Sequence, residues 1–206
     1  MIIAVDGPTA SGKGTIAKAL AAHFGLPHLD TGLLYRAVGQ QVALNGGDPD
    51  SEVDALAGCA FPEALLADPI LRSEDTGSLA SRVSIHPAVR AALLERQRAF
   101  ARQPGGAVLD GRDIGTVIAP KAEVKLFVTA SVEARARRRH TEMLKRGESV
   151  TLAAIEADLR RRDERDSGRA EAPLCAATDA VVLDNSAMTR AESVAAAIRQ
   201  VEDHGV

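Results

Sequence analysis

Aromatic side chains are nearly missing from this sequence: tryptophan is absent, tyrosine occurs once, and Phe, Tyr and Trp together make 2% of 206 residues. Little is left for stacking bases along a strand, and 28 acidic against 25 basic residues leave a formal charge of −3. A general nucleic-acid partner is therefore not expected. Cysteine is equally scarce. Cys59 and Cys175 lie far apart with no C-x-x-C, and the five histidines do not cluster at metal-ligand spacing, so neither a disulfide framework nor a zinc site is expected. No apolar stretch approaches a membrane span, and Asp6 and Gly7 interrupt the N-terminal apolar run before it could serve as a signal peptide. The expectation is a cytoplasmic protein without a membrane partner. Ser-His-Asp and paired-carboxylate arrangements are missing too, as is the N-K-x-D guanine motif of a GTP switch.

What is present is alternation. Ile2 to Val5 is a short all-apolar run suited to a strand buried on both faces, and Thr15 to Phe24 follows with apolar residues at helical spacing. Further short runs at Pro27 to Leu29, Ala107 to Leu109, Val124 to Val128 and Ala180 to Leu183 are each followed by helical stretches. The natural solution is an α/β fold with a five-stranded central parallel sheet flanked by helices. Ser131 is placed to cap the arginine-rich helix after the fourth strand, and Thr189 with Glu192 forms a capping box for the last one. Strand signals vanish between Asn45 and Pro87, where glycine, proline and acidic residues punctuate helical pieces such as Ser73 to Ile85. The chain reads as one domain, 1–206, with an insertion at 45–87.

The segment "GPTASGKGT", Gly7, Pro8, Thr9, Ala10, Ser11, Gly12, Lys13, Gly14 and Thr15, satisfies most of the P-loop pattern G-x-x-x-x-G-K-[ST]. It does so in the required context, after a strand and opening a helix. Glycines let successive backbone N–H groups turn toward a polyphosphate, the helix N-terminus adds partial positive charge, and Lys13 bridges the terminal phosphates. A polyphosphate is the anion expected there. Gly14 stands where Ser or Thr would normally meet magnesium, so Thr15 and Asp110 become the candidate Mg²⁺ residues, acting through water.

Moving a γ-phosphoryl group between two polyanions calls for fixed cations rather than a general base. From Arg135 to Arg169 there are 11 Lys or Arg against 7 Asp or Glu, a local excess of 4 in an acidic chain. The region, roughly 135–170, reads as two helices around Gly147, which suits a lid over ATP. Asp110 sits at a strand end, where open α/β sheets place ligands, with Arg112 and Asp113 in the same turn. An ion pair between those two is the plain alternative. Arg36 follows the second strand and the Thr31-Gly32 turn, so its fork can meet an acceptor phosphate or simply sit on a helix surface. Lys13, Arg112 and Asp110 are the expected catalytic residues.

The G-K-G-T variant in a short chain resembles nucleoside monophosphate kinases more than switch GTPases. "LDTGLLYR" (Leu29 to Arg36), "HPAVRAALLERQRAF" (His86 to Phe100), "DGRDIGTVIAP" (Asp110 to Pro120) and "RRDERDSGRAEAPL" (Arg161 to Leu174) together resemble bacterial cytidylate kinases, in that family's order and over nearly the whole chain. The resemblance implies a P-loop kinase fold with a short NMP-binding insertion and a lid. The implied reaction transfers the γ-phosphoryl group of ATP to CMP, and also dCMP, giving CDP or dCDP and ADP, with Mg²⁺, in pyrimidine nucleotide metabolism. It further implies acceptor contacts from Thr31 and Arg36, Ser81 and Arg90 facing the pyrimidine, and Arg112 on the acceptor phosphate. Asp113 would lie on the base side, Arg162, Asp166 and Arg169 on sugar and phosphate, and Arg135 and Arg139 toward the donor phosphates. Ser81 as a plain helix serine, Asp166 as an ion pair bracing the lid, and Tyr35 as a stacking or a core residue stay open. So do a shikimate or dephospho-coenzyme A type of kinase and a nucleotide-sensing regulator. A monomer is expected.

Overall fold

The structure, a computed structural model, describes residues 1–204. Along them run β1 (Ile2–Asp6), α1 (Lys13–Phe24), β2 (His28–Asp30), α2 (Thr31–Leu44), α3 (Glu52–Gly58), α4 (Glu74–Val83), α5 (Pro87–Ala101), β3 (Ala107–Gly111), β4 (Val124–Thr129), α6 (Val132–Lys145), α7 (Leu152–Ser167), β5 (Val181–Asp184) and α8 (Arg190–Asp203). They form two compact units, Met1–Leu29 with the chain from Ala101 onward, and Asp30–Phe100.

The first unit carries the sheet, five parallel strands in the order β2-β3-β1-β4-β5. Its apolar runs explain why β1 is central: Ile3, Ala4 and Val5 are fully buried between flanking layers. The register sets Val5 opposite Asp110 on β3 and Asp6 opposite Phe127 on β4, so the loops after β1 and β3 leave the same end of the sheet. Helices α1 and α8 cover the sheet through Ile16, Leu20, Ala197 and Val201. Helices α6 and α7 pack on one another over a separate small core of Ala136, Met143, Ile155 and Leu159. Ser131 caps α6 by accepting from the Ala134 N–H, and Thr189 and Glu192 make the reciprocal capping box of α8. Helix α1 begins at Lys13, two residues before the expected Thr15, because Gly12 turns left-handed at φ 88° and delivers Lys13 and Gly14 directly into the first turn.

The second unit consists of helices and the turns that join them, between residues 31 and 100. Its core joins Leu34, Val38 and Val42 of α2 to Val83 of α4 and to Val89 and Leu93 of α5. Gly39 allows α2 and α4 to touch: a Cβ there would lie 2.7 Å from the Leu79 Cβ. Because α2 and α5 supply the apolar faces that cover α3 and α4, this unit reaches further in both directions than residues 45–87.

Candidate active site

The loop between β1 and α1 is shaped by tight packing. A Cβ on Gly7 would lie 2.0 Å from the Val128 carbonyl oxygen of β4, so only glycine permits this approach. Thr9 and Ser11 are buried and Lys13 is half-buried, its Nζ donating to the Pro8 carbonyl at 3.3 Å. The lysine thus lies folded back along the loop. Thr15 is half-buried one residue into the same turn as Gly14.

Asp110 lies beside this loop. One oxygen takes His28 Nε2 at 2.7 Å, and the other is 3.5 Å from where a Cβ on Gly14 would stand. The glycine at the unorthodox motif position therefore leaves a buried carboxylate next to the helix N-terminus. No group of three or more His, Cys, Asp or Glu able to hold a metal occurs among the described residues. One carboxylate and one hydroxyl suit a magnesium ion carried by the nucleotide with its waters rather than a protein-only cage.

Two residues further on, Arg112 bridges elements far apart in sequence. Its Nη2 donates to the Thr9 hydroxyl at 2.7 Å and its Nε to Asp166 Oδ2 at 2.8 Å. Asp166, buried on α7, also accepts from Arg169, which folds back from just beyond the helix end. Burial pushes the Asp166 carboxyl up, but Arg112 and Arg169 outweigh it and hold the group below the ordinary carboxylate range. Arg162, one turn earlier on α7, is buried with its Nε 2.8 Å from Asp158. Asp113 is buried and opens a single π turn over Ile114–Ile118. Asp6, at the end of β1, accepts the Ile114 and Gly115 N–H groups at 2.8 Å each and so fastens that turn. The first unit therefore brings together Lys13, Asp110, Arg112, Asp166 and Arg169.

In the second unit Thr31 is buried at the start of α2. Arg36 Nη1 donates to the Leu71 and Ser73 carbonyls at 2.8 Å each, an anchorage that its sequence position did not signal. Ser81 is half-buried on α4. Tyr35 is a core residue, and the guanidinium of Arg90 lies 5.7 Å above its ring, a cation–π geometry that orients Arg90.

One expectation is corrected. Arg135 does not face donor phosphates: it is 3% exposed, and its fork is committed to the Ala130 and Thr9 carbonyls and to Asp163. Three residues with clear partners in the site were passed over in the sequence. Asp6 and Asn185 lie at or just past the ends of β1 and β5, the kind of position that singled out Asp110, whereas His28 opens β2.

Beside the loop is a cavity of about 450 Å³ whose walls include Ala10, Gly12, Thr15, Arg138, Arg139 and Met188. A glycine-rich anion loop after the central strand of a parallel sheet, with arginines gathered around it, defines a P-loop phosphotransferase. The comparisons narrow the class: the family model for cytidylate kinase matches residues 3–203, and the chain belongs to the cytidylate kinase family. It is 58% identical over 202 residues to the cytidylate kinase of Xanthobacter autotrophicus (strain ATCC BAA-1158 / Py2), covering 98% of this chain and 97% of that one. Identity to the cytidylate kinase of Caulobacter sp. (strain K31) is 55% over 202 residues, covering 98% and 94%. An uncharacterized protein from Eubacterium ventriosum, known from a crystal structure, shares the fold, with a TM-score of 0.57 at 14% identity over 98% of each chain. No helix among the described residues is long and apolar enough to cross a membrane.

Proposed function

We propose that this chain transfers the γ-phosphoryl group of ATP to CMP, yielding CDP and ADP, with dCMP as a second acceptor, and that it acts as a cytoplasmic monomer. The nature of the acceptor follows from the family. The observation that carries the mechanism is the placement of Arg112, whose guanidinium is hydrogen-bonded both to Thr9 of the phosphate loop and to Asp166.

In this reading the loop amides and Lys13 hold the β- and γ-phosphates, and the cavity lined by Arg138, Arg139 and Met188 takes the donor's base. Arg112 exchanges its protein partners for the acceptor phosphate, joined by Arg36 and Arg162. Thr31, Ser81, Arg90 and Asp113 serve the acceptor's base side, and Asp166 with Arg169 its sugar. The acceptor phosphate has a second pKa of about 6, so near neutrality it is already a dianionic nucleophile. Its oxygen attacks the γ-phosphorus, the bond to the β-bridging oxygen breaks, and ADP leaves with that electron pair. No protein base is required. Mg²⁺, near Thr15 and Asp110, would supply charge neutralisation on the donor phosphates. Lys13 and the arginines stabilise charge spread over the transferring group.

A coupled ADP-release assay over a panel of nucleoside monophosphates tests this. CMP and dCMP are expected to be turned over well above AMP, GMP and UMP, and Arg112→Lys is expected to raise the CMP KM far more than the ATP KM. Turnover of shikimate or dephospho-coenzyme A in place of CMP, or nucleotide binding without turnover, refutes it.

A further inference from the structure

A phosphate loop presents its amides to an anion only if its carbonyls turn the other way, and outward carbonyls inside a protein need donors. Here two of them find buried donors from distant elements. The Thr9 carbonyl accepts from Arg135 Nη1 at 3.0 Å, and the Ser11 carbonyl accepts from Asn185 Nδ2 at 2.8 Å. Both donor residues are nearly inaccessible, at 3% and 2% exposure.

Both braces lead to α6. Arg135 is on that helix. Asn185, just past β5, receives Arg138 Nη1 on its amide oxygen at 2.8 Å, so Arg138, one turn after Arg135, orients the amide that reaches Ser11. Helix α7 completes the arrangement: Asp163 takes both terminal nitrogens of Arg135 and fixes its fork. Between the two braced carbonyls lies Ala10, a non-glycine residue in the left-handed region at φ 62° that packs against the core shared by α6 and α7. Such a conformation persists only where its surroundings impose it.

We infer that Arg135, Asp163 and Asn185 are positioning residues that hold the phosphate loop in its anion-binding form, making the first turns of α6 a mechanical support of the donor site. Arg135 and Asp163 need not touch the nucleotide; Asn185, which also lines the cavity beside the loop, acts through its bond to the Ser11 carbonyl. The inference rests on the loop being the ATP site proposed above.

The test measures equilibrium binding of a non-hydrolysable ATP analogue and, separately, of CMP by calorimetry, with melting curves on the same preparations. Asp163→Asn and Asn185→Ala are each expected to weaken analogue binding about five- to tenfold, the scale of one hydrogen bond lost from a preorganised site. CMP binding should stay within about twofold on the same scale. Asp163→Glu, which keeps the charge on Arg135, is expected to recover most of the loss. A purely structural role predicts a lower Tm with analogue affinity unchanged well below it, and that result overturns the inference while leaving the ATP site standing. Failure of the wild-type protein to bind the analogue overturns both. If Asp163→Asn does not fold, Asn185→Ala decides alone, because its neutral amide leaves no buried charge behind except Arg138, which keeps its bonds to the Asn185 and Met188 carbonyls.

Discussion

Asp6 offers a quantitative check on how the loop after β3 is held. It is 5% exposed at the end of the central strand, and burial drives its pKa from the ordinary 3.8 up to about 6. The Gly115 and Ile114 amides pull against that rise, Asp113 adds to it and Lys13 reduces it. Between those two pH values the folded chain keeps a proton that the unfolded chain has lost, so stability from this group falls as pH rises through the window. Above about 6 the loss is complete. The displacement corresponds to about 3 kcal/mol. The perturbation is Asp6→Asn, which titrates nowhere in the range. Its amide oxygen can take one of the two N–H groups while its NH₂ confronts the other, a pH-independent cost of about 1–3 kcal/mol. Urea unfolding of both proteins from about pH 4 to 7.5 isolates Asp6 together with its coupling to Asp113, since the carboxylates that do not interact with it cancel in the difference. The stability of the wild type minus that of the variant is expected to drop by about 2–3 kcal/mol across the window and then stay level. A difference that is flat, or that grows with pH, refutes the assignment of a buried, reluctantly ionised carboxylate at this joint.

Further outcomes follow from the same geometry. Gly7→Ala forces a Cβ to 2.0 Å from the Val128 oxygen, in the backbone of an interior strand, so the variant should lose more than about 3 kcal/mol of stability and bind no ATP analogue; thermal melts and calorimetry check this, and a near-normal Tm contradicts the packing argument. Asp166→Ala takes the shared carboxylate from the half-buried Arg112 and Arg169, at a cost of about 3 kcal/mol, and is expected to lower Tm and raise the CMP KM more than the ATP KM. Equal KM changes for both nucleotides would confine Asp166 to bracing. Lys13→Ala is expected to keep its Tm and lose at least about a hundredfold in kcat, since the lysine is half-buried with a 3.3 Å bond to the Pro8 carbonyl and an electrostatic donor at the transferring group is worth that much; a folded variant with near-wild-type kcat contradicts its role.

Much of the scaffold was legible because its signals are local. Ile2 to Val5 can be buried on both faces only in a sheet covered on both sides, Gly7 to Lys13 can be read as an anion loop from spacing alone, and Ser131, Thr189 and Glu192 announce their helix starts within three residues. The motifs also sufficed to group the chain with cytidylate kinases. Partnership was not legible. Arg135 and Arg139 look alike in a run of basic residues, yet one is buried against Thr9 and Asp163, because which arginine points inward depends on how α6 lies against the loop. Arg36 read as a fork for an acceptor phosphate or as a helix-surface residue, and nothing near it in sequence announced its bonds to Leu71 and Ser73, carbonyls 35 and 37 residues away. Asp6, His28 and Asn185 carry no motif at all; strand order and register bring their side chains to the loop or its neighbours. Local chemistry is written in spacing along the chain, whereas the choice of partner for a charged or amide group is made by elements that meet only after folding, where burial makes an unpaired group costly and so dictates who pairs with whom.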